Sequence, residues 1–181
     1  MRVLVTGTSG YNGSAVAAYA SQYAEVIGID IRPGDRTTHV GTIEDAAFLK
    51  KVVPDVDCII HCAALLTPHL GMKSESRFVD VNVHGTENLL NLAVQHNLDS
   101  FVFTSTTSVY GCSTRPKTEA IWVTEELEPN SEDIYDTTKL EAERLCQEAH
   151  KSGLKTTAIR MSRCFPEPDH LLAFYLSLIH I

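Results

Sequence analysis

The run Val3-Leu4-Val5-Thr6-Gly7-Thr8-Ser9-Gly10-Tyr11-Asn12-Gly13 constrains this chain more than any other. Three apolar residues lead straight into a glycine, and two further glycines follow at three-residue spacing. The Ala-rich stretch over residues 14–20 then continues without a helix breaker. A buried strand, a tight turn and a helix N-terminus in that order form a cradle for a pyrophosphate. Gly7 permits the turn, Gly10 lets backbone N–H groups approach phosphate oxygens, and Gly13 lets the helix pack on the strand. Gly7, Gly10, Tyr11, Asn12 and Gly13 are therefore the expected dinucleotide contacts. A second strand, Glu25-Val-Ile-Gly-Ile-Asp30, ends on a carboxylate twenty residues past Gly10. That is where a ribose 2′-hydroxyl is held, so Asp30 joins the set.

Strand and helix signals alternate after this opening. Residues 57–62, Asp-Cys-Ile-Ile-His-Cys, are nearly all apolar, as a parallel strand covered on both faces requires. Residues 100–104 and 156–161 read as two further strands. Helices are predicted over residues 44–53, with Pro54 as the stop, then over 74–96 and 131–151. Alternation of this kind predicts an α/β fold, a doubly wound parallel sheet with helices on both faces and short right-handed crossovers.

Composition removes several function classes. The chain has 181 residues, enough for one domain with a real core, and a net charge of −8 without a Lys/Arg block. A nucleic-acid surface is not expected. The five cysteines include no Cys-x-x-Cys, and the eight histidines show no metal-ligand spacing. No metal is assigned, and a reducing cytoplasm is the expected compartment. No secretory signal precedes the first strand. Residues 171–181 are apolar but too short to span a bilayer, so no membrane association is expected. The final six residues, Leu-Ser-Leu-Ile-His-Ile, match one reading frame of a common sequencing-adaptor end. The expectation is a truncated reading of a longer gene, with residues 1–165 as one domain and 166–181 as a truncated or non-native tail.

Tyr135-Asp-Thr-Thr-Lys139 supplies the candidate chemistry. On a helix, positions i and i+4 share a face, so the phenol and the ammonium point the same way. A free tyrosine has a pKa of about 10, and a nearby cation favours its phenolate and makes it a usable base. Thr104-Ser-Thr-Thr-Ser-Val-Tyr-Gly111 places a hydroxyl cluster at the carboxyl end of a sheet strand, where open α/β sheets bind their ligands.

Together these elements resemble the extended short-chain dehydrogenase/reductases, specifically the NAD-dependent epimerase/dehydratases that act on nucleotide sugars. The resemblance covers roughly residues 1–165. It rests on Thr6-Gly7-x-x-Gly10-x-x-Gly13, the Asp30 strand end, His61-Cys-Ala-Ala64, Asn82-Val-His-Gly-Thr86, Ser105-Thr-Thr-Ser-Val-Tyr-Gly111 and Tyr135-x-x-x-Lys139. It implies a Rossmann-type domain, NAD as cofactor, a small-molecule substrate of the nucleotide-sugar class, and a homodimer for the full-length protein. It also implies Tyr135 as general acid/base, Lys139 as its ribose-binding partner and Thr106 as the substrate-binding hydroxyl, with Ser105 or Thr107 as the nearest alternatives. Ala63, Ala64 and Leu65 are implied against the cofactor, Asn82 near its nicotinamide half, and Ser105 beside them.

The chain departs from the family pattern in three places. Thr42 stands where an adenine-contacting aspartate is common, and Arg163 stands near the place of a substrate-phosphate asparagine. The carboxyl-terminal substrate-binding portion is missing. Two other functions stay open on this reading: simple NAD(P)-dependent oxidation or reduction of a non-sugar carbonyl, and dinucleotide binding without catalysis.

Overall fold

The structure is a computed structural model and describes residues 1–114 and 121–162. Among these described residues, six strands form one parallel sheet in the order β3-β2-β1-β4-β5-β6. They are β1 (Arg2–Thr6), β2 (Glu25–Asp30), β3 (His39–Val40), β4 (Cys58–His61), β5 (Ser100–Thr106) and β6 (Lys155–Met161). The first strand pairs with β2 on one side and β4 on the other, Val5 lying opposite both Gly28 and Ile60. The winding reverses at β1, and a crevice opens beyond the carboxyl ends of β1 and β4.

Among the described residues, five α-helices accompany these strands: α1 (Tyr11–Ala20), α2 (Ala46–Val52), α3 (Glu75–Phe78), α4 (Gly85–Gln95) and α5 (Ile134–Lys151). Alternate residues of β1 point to opposite faces. Val3 and Val5 pack with Ala17 of α1. Leu4 joins Ile29, Ile59, Phe101 and Phe103 beneath Leu49 of α2, Leu89 of α4 and Ala142 of α5. The expected doubly wound sheet, with helices on both faces, is the observed one.

The elements differ from the sequence expectation mainly at their ends. The second helix begins at Ala46, because the Asp45 carboxylate accepts the N–H groups of Ala47 and Phe48 and caps it. It stops at Val52, and Pro54 sits in the 3-10 turn that follows. The last helix begins at Ile134 rather than at 131, because Asp133 caps it through the Asp136 N–H. The helix predicted over 74–96 is interrupted by a π-helical turn, Val79–His84, between α3 and α4. The fifth strand runs two residues beyond its predicted end, since Ser105 and Thr106 pair with Arg160 and Met161 of β6. The two-residue β3 is exposed and too short for any periodicity to announce. Cys58 and Cys62 are half-buried and Cys146 is buried, all as free thiols. Arg163, Cys164 and the 166–181 tail lie outside the described residues.

Candidate functional site

A cleft of about 1270 Å³ lies beyond the carboxyl ends of β1, β2, β4 and β5. Gly7, Gly10, Tyr11, Asn12, Gly13, Asp30, Ala63, Ala64, Leu65, Ser105, Thr106, Tyr135 and Lys139 all line it. One chain reversal thus gathers residues spread over more than 130 positions, which is what the strand order predicts for a topological switch point.

The phosphate end is built by close backbone approach. Gly7 has φ +76°, a conformation that glycine adopts without strain, and a Cβ there would lie 2.9 Å from the Ala63 nitrogen. A Cβ on Gly13 would lie 2.1 Å from the Gly7 carbonyl oxygen, so only glycine lets α1 start this close to the turn. Gly10 is the N-cap of α1 and has no side-chain cap. The first N–H groups of that helix are left to whatever anion occupies the cleft. At the tip of β2, Asp30 accepts the Ser9 N–H at one oxygen and the Arg32 N–H at the other, both at 3.0 Å. These bonds turn the carboxylate to the cleft wall. An absent side chain at Gly10, a free helix terminus and a fixed acid suit a dinucleotide's pyrophosphate and ribose. Thr42 also lines the cleft and donates its hydroxyl to Glu44, which holds Arg77 in a two-point ion pair.

The wall formed by residues 62–65 is pinned from both sides. Thr6 Oγ1 accepts the N–H groups of Cys62 and Ala63, each at 3.0 Å. Asn82, expected near the nicotinamide half of the cofactor, is bonded to Leu65 of this wall. It is buried outside the cleft lining, its Oδ1 accepting the Leu65 N–H at 2.7 Å and its Nδ2 donating to the Leu65 carbonyl and to Thr138. A side chain bonded at every polar atom to protein has a positioning role, and it sits in the π-helical turn that interrupts the predicted helix.

Tyr135 and Lys139 face the cleft from α5, as their spacing predicts. All three candidate hydroxyls, Ser105, Thr106 and Thr107, line the same cleft as Tyr135. The expected lowering of the Tyr135 pKa by Lys139 does not occur. Burial pushes the phenol up, the nearby Thr106 side chain opposes this, and the charges of Asp136 and Asp133 push the same way as burial. The Lys139 ammonium instead sits 4.0 Å from the centre of the Phe103 ring. Burial brings that ammonium down to about 8, against the pull of Cys62, Cys146 and Glu143.

Ser105 lines the cleft but has its hydroxyl turned away, donating to Glu143. Arg160 of β6 binds that carboxylate in a two-point pair, at 2.7 Å from Nη2 and 3.0 Å from Nε, and stacks 4.8 Å from the Tyr110 ring centre. Sequence reasoning missed Glu143 and Arg160. The available signal was that Glu143 stands four residues past Lys139 on the same helical face. It also missed Asp136, which accepts the Ser108 hydroxyl. Among the described residues, no three His, Cys, Asp or Glu side chains stand together as a metal site, and no helix is long and apolar enough to cross a membrane.

A parallel sheet reversing at β1, a glycine cradle and an acid at the end of β2 define a Rossmann-type dinucleotide-binding protein. Residues 3–171 match the NAD dependent epimerase/dehydratase family, and the chain belongs to it. It is 31% identical over 172 residues to a UDP-glucose 4-epimerase of Lactobacillus helveticus, covering 88% of this chain and 51% of that protein. It is 31% identical over 191 residues to a 3 beta-hydroxysteroid dehydrogenase/Delta 5-->4-isomerase of Mycobacterium tuberculosis, covering 94% and 49%. A crystal structure of a short-chain dehydrogenase/reductase superfamily protein from Agrobacterium tumefaciens with bound NAD superposes with a TM-score of 0.79 at 32% identity, covering 88% and 48%. The chain spans about half the length of the relatives it matches here.

Proposed function

We propose that this chain is the cofactor-binding and proton-transfer part of an NAD-dependent epimerase or dehydratase acting on a nucleotide sugar. The observation that carries this reading is that Tyr135, Lys139 and Thr106 open onto the same cleft as the glycine cradle and Asp30. Residues 1–165 are the NAD-binding unit on this reading, the tail over 166–181 lies outside it, and the full-length protein is a cytoplasmic homodimer. The nucleotide-sugar class rests on the likeness to UDP-glucose 4-epimerase.

When bound, NAD supplies the hydride acceptor. The first helical N–H groups of α1 hold its pyrophosphate, Asp30 holds a ribose, and Lys139 holds the other ribose beside Tyr135. Thr106 orients the substrate oxygen, and Tyr135, once ionised to the phenolate, takes the proton from that oxygen as carbon–hydrogen cleavage begins, then returns it in the reverse step. Tyr135 and Lys139 are themselves buried, which limits their contact with bulk water.

The test has two stages. Calorimetry should give saturable binding of NAD to the chain, and absence of binding overturns the reading at once. A version of the protein extended to full length should then convert a UDP- or dTDP-sugar without net release of NADH. A second reading, net oxidation or reduction of a non-sugar carbonyl, is favoured by the likeness to the hydroxysteroid dehydrogenase. Stoichiometric NADH release with a sterol, and none with any nucleotide sugar, selects it.

A further inference from the structure

The acid at the tip of β2 sits inside a ring of hydrogen bonds. Ser9 and Arg32 each donate a backbone N–H to Asp30, and the Ser9 hydroxyl closes the ring on the Arg32 carbonyl at 2.8 Å. Two further hydroxyls stand behind Ser9. Ser9 Oγ lies 2.9 Å from Thr37 Oγ1, and Thr37 Oγ1 lies 2.8 Å from Thr8 Oγ1. Counting protons fixes the direction of this row. The Arg32 carbonyl can only accept, so the one proton of the Ser9 hydroxyl goes there. The Ser9–Thr37 contact therefore carries the Thr37 proton, and the Thr37–Thr8 contact carries the Thr8 proton. The row thus crosses three times between the glycine turn and the loop over residues 31–37. Beyond this loop, Thr38 donates its N–H to the Gly28 carbonyl at 2.9 Å, and its hydroxyl accepts the Gly28 N–H at 3.0 Å. Asp30 and Arg32 line the cleft, whereas Thr8, Ser9 and Thr37 stand behind its wall.

We propose that Ser9 and Thr37 are positioning residues for cofactor choice: their hydroxyls strap the 31–37 loop to the glycine turn and hold Asp30 at the cleft wall. The strap thereby selects a dinucleotide with a free ribose 2′-hydroxyl over its 2′-phosphorylated form. The charge of Asp30 is not sufficient by itself. On a loose loop the carboxylate swings aside, and a 2′-phosphate can then pair with the guanidinium groups of Arg32 and Arg36. In the strapped loop both carboxylate oxygens are already bonded to backbone, and turning the side chain away strands the Ser9 and Arg32 N–H groups.

The inference rests on the reading of this cleft as the NAD site and of Asp30 as its ribose-binding acid. Calorimetry of the chain with NAD and with NADP gives the ratio of the two dissociation constants. Ser9→Ala removes the hydroxyl and keeps the N–H bond to Asp30, and Thr37→Val removes a hydroxyl at nearly constant volume. Each should narrow the preference for NAD by roughly fivefold, the worth of one hydrogen bond. Thr37→Ser, which keeps the row, should retain the parent ratio. In an Asp30→Ala background, Ser9→Ala should narrow the ratio no further, because the strap acts through that carboxylate. Hydrogen exchange of the Arg32 N–H needs no cofactor, and it should quicken in Ser9→Ala and Thr37→Val but not in Thr37→Ser. Parent ratios in Ser9→Ala and Thr37→Val would assign the choice to the charge of Asp30 alone and overturn the inference. Equal weakening of both dinucleotides would overturn it as well, since a merely structural role leaves the ratio unmoved. Absence of NAD binding to the parent chain overturns the proposed function and this inference together, whereas a parent preference that the variants keep overturns this inference alone.

Discussion

Thr6 Oγ1 lies 2.7 Å from Nδ1 of His61, and the direction of that bond decides the state of the histidine. Thr6 already accepts two backbone N–H groups from the cleft wall, so its own proton goes to Nδ1. Nε2 of His61 therefore carries the ring proton and donates to Thr86 at 2.9 Å, and the Thr86 hydroxyl donates to the Asn82 carbonyl at 2.7 Å. A single fully buried row thus ties β1 to the π-helical turn beneath the cofactor wall, and it works only with a neutral imidazole.

That requirement gives a pH dependence with a definite sign. Burial, with help from the charge of Lys139, brings His61 from 6.5 down to about 3. The unfolded chain binds the proton first, so stability is fully present above pH 6.5 and declines as pH falls toward 3. The loss should approach about 1.4 kcal/mol per pH unit once the unfolded histidine is charged. Urea unfolding of the wild type and of His61→Gln between pH 7 and pH 4.5 checks this. The variant is less stable at pH 7, and the gap should close as pH falls. A gap that stays constant would mean His61 is not the titrating group.

Gly10 and Gly13 should separate binding from folding. A Cβ on Gly10 meets only the Gly7 carbonyl oxygen, at 3.2 Å, whereas one on Gly13 collides with it at 2.1 Å. Gly10→Val should keep the melting temperature within a few degrees and lose NAD binding by more than tenfold. Gly13→Ala should cost roughly 1–3 kcal/mol of stability as the turn and helix are forced apart. Equal destabilisation of the two variants would refute the distinction.

NAD should be preferred over NADP. The Asp30 carboxylate is held by the Ser9 and Arg32 N–H groups and faces the cleft, so a 2′-phosphate there meets like charge at short range. Asp30→Ala should narrow the preference by weakening NAD more than NADP. Equal dissociation constants for the two cofactors in the wild type would remove Asp30 from this role.

The sheet, the glycine cradle and the acid at the end of β2 were all legible in the sequence because each depends on local pattern. Apolar runs become strands, and spaced glycines permit one turn. For Asn82, a residue type and a motif reveal proximity to a site, not the direction in which a side chain points. Its role depends on a π-helical turn that no hydrophobic period reveals. Glu143 and Arg160 were missed for a related reason. Their pairing joins a helix to a strand and depends on the β5–β6 register, in which Ser105 lies opposite Arg160. The effect of Lys139 on Tyr135 was inferred from helical spacing alone. The observed ammonium lies over Phe103, a β5 residue whose position the helix sequence does not encode.

Tyr135→Phe and Lys139→Met should fail differently. The tyrosine hydroxyl is assigned to proton transfer, so its loss in the full-length protein should lower turnover by roughly 10²–10⁴ and leave NAD affinity within a few-fold. The lysine is assigned to a cofactor ribose, so its replacement should weaken NAD as well. Burial brings the Lys139 ammonium down to about 8, which means the charge is present below that pH and lost above it. NAD affinity of the wild type should accordingly decline as pH rises through 8, and Lys139→Met should bind weakly at every pH without that step. Calorimetric titrations at pH 7 and pH 9 on both proteins make the comparison. A step that survives in Lys139→Met would assign the titration to another group and leave Lys139 as a packing residue over Phe103.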